Sequence, residues 1–129
     1  MVVEDDVIIR LCMAECLREC GYSVVEANSG DEALGILEQL PVDVVFSDVR
    51  MPGSIDGAAL IQWIRQHHPC TAPILTSAYF PKGPAWDGLK DVPFVPKPYE
   101  PRYIVNVVRS ELVKRGLDSD PGPVIRWSQ

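Results

Sequence analysis

The chain has 129 residues, of which 47% are hydrophobic and 23% charged, with a formal net charge of −6. That length and balance favour one globular domain large enough to bury a core. The acidic excess, with no stripe of Lys and Arg, argues against a nucleic-acid surface, and no apolar run approaches the roughly 18 to 20 residues of a membrane span. The first residues lack the basic character of a signal segment, so the expected compartment is the cytoplasm.

Along the chain, short apolar runs alternate with longer amphipathic ones, the pattern of a parallel sheet covered by helices on both faces. Strands are predicted over residues 1–3, 23–27, 42–47, 74–77 and 94–96. The first helix is predicted over residues 7–20, carrying Ile9, Cys12, Met13, Cys16, Leu17 and Cys20 at three- and four-residue spacing before Gly21 stops it. Cys12, Cys16 and Cys20 read as small core residues on one helical face. A metal or redox cluster would need paired C-x-x-C spacing or a nearby His, and both are lacking.

Ser29 with Glu32 forms a capping box ahead of Ala33, Leu34, Ile36, Leu37 and Leu40, and Pro41 follows that second helix. Asp56 is predicted to cap the third, which carries Leu60, Ile61 and Ile64, and Asp6 to cap the first. His67 and His68 beside Pro69 read as solvated residues at a helix end, without chemistry. Pro81, Gly83, Pro84, Gly88 and Pro93 leave room for at most a short fourth helix around residues 86–90. A last helix should begin near Pro101, present Ile104, Val105, Val108 and Leu112 to the sheet, and end by Gly116. From Asp118 onward the composition is that of a tail, so a domain over residues 1–116 and a tail over 117–129 are expected.

The chemistry follows from where the charges fall. Asp48 ends the apolar run Val42, Val44, Val45, Phe46; Glu4 and Asp5 end the first run, and Lys97 follows the last. In open parallel sheets, ligands bind outside the carboxyl ends of the strands, where Glu4, Asp5, Asp48, Ser77 and Lys97 all fall. Three converging carboxylates repel one another and call for a cation, and oxygen-only ligands suit Mg²⁺. One carboxylate is then left to act on phosphorus. Asp48 is the natural nucleophile, Lys97 offsets charge on phosphoryl oxygens, and the Ser77 hydroxyl can donate to one of them. Together they describe an aspartyl-phosphate site.

Through Val2-Val3-Glu4-Asp5-Asp6, Asp48-Val49-Arg50-Met51-Pro52, Asp56-Gly57, Thr76-Ser77-Ala78 and Lys97-Pro98, the chain resembles the receiver domain of two-component response regulators over roughly residues 1 to 116. The resemblance implies a flavodoxin-like, doubly wound, five-stranded parallel sheet of order 2-1-3-4-5. It implies that Asp48 accepts a phosphoryl group from a sensor histidine kinase or histidine phosphotransfer protein, a transfer that the receiver itself catalyses. Glu4, acting through water, and Asp5 would hold Mg²⁺ with Asp48 and the backbone carbonyl of Arg50. Ser77 and Phe94 would form the switch that alters a surface read by a downstream protein, whose identity the sequence does not give. Thr76 is the rival to Ser77; Ala78 matches the small residue that follows the switch hydroxyl in the family. The resemblance further implies a cis Lys97-Pro98 bond and a kinase-facing surface on the first helix that includes Arg10, Glu15, Arg18 and Glu19.

Departures from the pattern carry expectations of their own. The stretch from Met51 to Gly57 holds one residue more than the common spacing, with Gly53 and Ser54 absorbing it. The reduced fourth helix argues against dimerisation through that face and for a monomer or weak dimer. The first strand begins only three residues before the acid pair, which suggests an N-terminal truncation. Two other classes compete. A pseudo-receiver would keep the fold as a protein-binding module without phosphorylation, but it usually loses an acid or the lysine, and none is missing. An Asp-nucleophile hydrolase commonly carries a second acid two residues after the first, where this chain has Arg50.

Overall fold

A computed structural model describes residues 1–117. Five parallel strands, β1 (Val2–Val3), β2 (Glu26–Ala27), β3 (Val44–Asp48), β4 (Ala72–Ser77) and β5 (Phe94–Pro96), form one sheet in the order β2-β1-β3-β4-β5. The helices are α1 (Val7–Glu19), α2 (Gly30–Leu37), α3 (Gly57–His67), α4 (Pro84–Asp87) and α5 (Pro101–Lys114). This is the expected flavodoxin-like order. The expected tail from Asp118 lies outside the described residues. None of the helices among the described residues is long and apolar enough to cross a membrane.

Alternation along the strands divides the core into two. Val3, Val45 and Leu75 pack with Leu37 of α2 and Leu60, Ile61 and Ile64 of α3. Val2, Phe46, Ile74 and Val95 pack with Met13 and Leu17 of α1 and Ile104, Val105, Val108 and Leu112 of α5. Each fully buried side chain of this size contributes roughly 1.5–3 kcal/mol of burial free energy, so a one-residue slip of any central strand would exchange the two sets and is excluded. The predicted apolar faces of α3 and α5 are therefore the ones buried.

The caps form as the sequence predicts. Asp6 accepts from Ile9 N at 3.1 Å, Ser29 from Glu32 N at 3.1 Å and Asp56 from Ala59 N at 2.8 Å, each relieving an orphan amide of a first turn. The Glu32 carboxylate reaches back to Asn28 N at 3.0 Å.

Several boundaries move. β2 shrinks to Glu26–Ala27 because it is an edge strand that pairs only with the two residues of β1. α2 stops at Leu37, leaving Leu40 exposed. β4 starts two residues earlier than predicted and takes in Pro73. Ala72 N bonds to the carbonyl of Asp43, the residue just before β3, so position 73 turns its missing donor toward the β5 side, where pairing begins only at Leu75 N with Pro93 O. A proline costs a sheet little where no acceptor faces it. α4 is four residues, displaced slightly ahead of the predicted position, and the Lys97-Pro98 bond is cis.

The α1 cysteines are a correction. Cys12 is exposed, and Cys16 and Cys20 are half-buried against the rim of the core; Ala14, with Met13 and Leu17, makes the buried stripe instead. The stripe is rotated because α1 packs into the corner between β1 and α5, and Val7, Ile8 and Leu11 stay exposed on the far side.

Candidate functional site

Four strands end at one crevice. Glu4 follows β1, its N–H bonded to Ala27 O; Asp48 closes β3, and the next residue donates from Val49 N to Thr76 O. Ser77 closes β4, and Lys97 follows β5 with its N–H on Ser77 O at 2.9 Å. The backbone ladder thus fixes the spacing of the side chains it delivers.

The Lys97 ammonium lies 2.7 Å from Glu4 Oε1 and 2.7 Å from Asp48 Oδ2. Glu4 and Asp48 are buried, Asp5 is exposed, and one oxygen from each of the three acids falls within 4.8 Å of the others. Backbone amides complete part of the acceptor demand: Asp6 N donates to Glu4 Oε2 at 3.1 Å and Arg50 N to Asp48 Oδ1 at 3.2 Å. Asp5, the exposed member, closes the cluster on the solvent side.

Charge arithmetic describes the site's state. Burial lowers the affinity of Lys97 for its proton, but hydrogen bonds to Asp48 and Glu4 outweigh it, and its pKa stands above the ordinary 10.5. Burial raises Glu4 above its ordinary 4.5; Lys97 and the Asp6 amide oppose this, and the Asp48 charge adds to it. Both groups are raised, with opposite effects on charge: two carboxylates hold Lys97 in its charged form, while burial and the Asp48 charge favour the neutral form of Glu4. Three acids against one lysine leave two negative charges unmatched when all are ionised. An all-oxygen donor set with that deficit fits a hard divalent cation such as Mg²⁺ and offers no soft sulfur or imidazole ligand.

The remaining sequence-predicted residues are placed less directly. Ser77 is buried, and its Oγ accepts from Tyr79 N at 3.2 Å instead of reaching Asp48. Thr76, its rival, is buried with Oγ1 unpartnered. Arg50 joins the site through its N–H, while its guanidinium lies over the Tyr79 ring at 5.3 Å and so links the loops after β3 and β4. Phe94 is half-buried, edge-on to Phe80 at 5.4 Å, and lines a cleft with Leu75, Trp86 and Leu89.

Two neighbours of the site are additions to the sequence reading. Tyr99 packs edge-on against Phe46, and burial with the Glu4 charge pushes its phenol up to about 12. Arg10 donates to the backbone carbonyl of Glu4 at 2.8 Å. Two of the first-helix residues expected on the partner-facing surface, Arg10 and Arg18, are also tied to Glu26 of β2, at 3.3 and 3.1 Å. The signal for Arg10 is its place one turn into α1, from which a long side chain slanting toward the helix N-terminus meets the loop before it.

Comparison with known proteins agrees with this geometry. The model of the family described as the response regulator receiver domain matches residues 1–109. The sensor kinase CckA of Brucella abortus is 37% identical over 119 residues, covering 89% of this chain and 12% of that protein. The DNA-binding transcriptional regulator NtrC of Klebsiella pneumoniae is 36% identical over 101 residues, covering 77% and 21% respectively. The chain thus spans only a small part of these relatives. Among solved structures, the receiver domain of the hybrid histidine kinase CckA superposes with a TM-score of 0.73 at 34% identity, covering 86% of this chain and 95% of that one. A CheY-like receiver domain protein from Methanospirillum hungatei JF-1 shares the fold, with a TM-score of 0.81 at 21% identity, covering 89% and 93%. With a family match over most of its length and a sheet of the same order, the chain belongs to the response regulator receiver domain family.

Proposed function

We propose that this receiver domain takes a phosphoryl group on Asp48 from a phosphohistidine of a sensor histidine kinase or histidine phosphotransfer protein, in a Mg²⁺-dependent relay in the cytoplasm. An Asp48 carboxylate oxygen attacks phosphorus, the P–N bond breaks, and its electron pair leaves with the imidazole. The observation that carries the reading is the Lys97 ammonium held at 2.7 Å from both Asp48 and Glu4, beside a third acid. An ammonium in that position can follow Asp48 from carboxylate to phosphoryl oxygen without crossing the site.

Glu4, Asp5, Asp48 and the Arg50 carbonyl would hold the Mg²⁺. When bound, the ion would neutralise charge on the phosphoryl oxygens. Ser77 would exchange its acceptor role toward Tyr79 for donation to the phosphoryl group, and that preference would bias the loop after β4 and the Phe94 ring next to it. The readout is a changed surface for a downstream protein.

Incubation with Mg²⁺ and acetyl phosphate, followed by intact mass, tests the reading. Addition of one phosphate to the wild type, absent in Asp48→Asn and without Mg²⁺, is the expected outcome. No addition would identify a pseudo-receiver, and rapid catalytic release of phosphate a hydrolase; either result would sink the proposal.

A further inference from the structure

The loop between β1 and α1 carries Glu4 and Asp5, and its backbone is gripped from the helix that follows. Arg10 gives one N–H to Glu4 O at 2.8 Å and its Nε–H to Glu26 Oε1 at 3.3 Å. The other Glu26 oxygen accepts from Arg18 at 3.1 Å, and Arg18 also donates to Val24 O at 3.1 Å. A continuous chain of charge-assisted bonds therefore runs from the backbone of the edge-strand region, through Arg18, Glu26 and Arg10, to the carbonyl of the first acid. The Arg10 side chain is 15% exposed and that of Glu26 21%, so the link is more sheltered than a surface ion pair, where such bonds count for little.

Neither arginine reaches a carboxylate of the site. Their grip is on the Glu4 main chain, and what it restrains is the direction in which the two acids leave β1. We propose that Arg10, braced by Glu26 and Arg18, is a positioning residue that fixes the β1–α1 loop so that Glu4 and Asp5 are presented together to the divalent cation. The inference rests on the metal-binding reading given above. A group that orients ligands without touching the ion typically changes metal affinity by about 10- to 100-fold when removed.

The sign of the effect separates this role from simple electrostatics. Arg10 is a positive charge near an acidic cluster, so its deletion by charge alone would tighten Mg²⁺ binding; loss of its grip would weaken it. Titration of the full chain with MgCl₂ by calorimetry, at fixed ionic strength, compares wild type, Arg10→Ala and Arg10→Lys, with urea unfolding to establish that each is folded. Arg10→Ala is expected to bind Mg²⁺ on the order of tenfold more weakly, with Arg10→Lys between the two because it keeps the charge and one donor. A merely structural role would lower the unfolding midpoint and leave the affinity of the folded protein unmoved. Equal or tighter binding by Arg10→Ala would overturn the proposal. If that variant does not fold, Arg10→Lys decides: weaker binding than wild type supports the role, and equal binding overturns it. A wild type that binds no Mg²⁺ would instead defeat the metal-site reading, and the positioning role with it.

Discussion

Glu4 is the residue on which the electrostatics of the crevice turn. Its carboxyl is raised mainly by burial, so the folded protein holds that proton at pH values where the unfolded chain has released it. The resulting stability is fully present below about 4.5 and is lost as pH rises through the folded value. Lys97, raised above 10.5, contributes stability throughout the neutral range that disappears only as pH passes its folded value. In metal-free protein, the difference in urea unfolding free energy between wild type and Glu4→Gln should therefore move against the wild type as pH climbs from about 4.5. A difference that is flat, or that grows in favour of the wild type over that window, would mean that Lys97 fully compensates the buried charge. Asp48 shows the same economy at shorter range: with one oxygen on Lys97 and the other on Arg50 N, it is oriented before any ligand arrives.

Among the elements, the junction of β3 with α3 has the least slack. The first residue of α3, Gly57, donates to Val49 O at 2.9 Å, and a Cβ there would sit 2.5 Å from Asp48 O and 2.8 Å from Val49 Cα. Both obstacles are backbone, so a methyl group must displace the strand end that bears Asp48. Gly57→Ala is expected to lower unfolding free energy by about 1–3 kcal/mol despite alanine's better helix propensity, and to slow phosphorylation by acetyl phosphate. Unchanged urea stability would show that the junction can yield. The extra residue of the loop between these elements is accommodated by docking on α2: Gly53 takes a positive φ of 102°, and Ser54 Oγ donates to Asp31 Oδ1 at 3.0 Å. The short α4 is tied down by α3, with Arg65 donating to Gly88 O at 3.0 Å and to Asp91 at 2.6 Å. An anchored turn replaces the fuller helix that the proline-rich sequence disallows.

At the scale of the whole molecule, folding brings together at the carboxyl edge of the sheet acids that repel one another. Anything that binds the folded crevice and not the unfolded chain stabilises the fold by mass action, about 2.7 kcal/mol at a ligand concentration one hundred times its dissociation constant. Mg²⁺ should therefore raise the thermal midpoint of the wild type, KCl at matched ionic strength should not, and Asp5→Asn should lose most of the increase. Equal shifts with both salts would point to screening of the net charge of −6 rather than to a site.

Much of this protein was legible in the chain itself. Alternating short and amphipathic runs specify a parallel α/β sheet because burial on two faces demands them, and Asp6, Ser29 and Asp56 mark helix starts because a cap is a local interaction. Acids and a lysine at strand ends must meet, since parallel strands deliver their carboxyl ends to one edge. What needed the third dimension was everything decided by contacts distant in sequence. The extent of β2 depends on its partner, the buried face of α1 on its packing against α5, and the tolerance of Pro73 on where β5 begins. Arg10 and Arg18 could be read from the sequence only as charges on a helix; their grip on Glu26 and on the Glu4 backbone exists because the fold sets β2 beside β1. Local chemistry writes the elements, while long-range geometry determines which of their side chains are free.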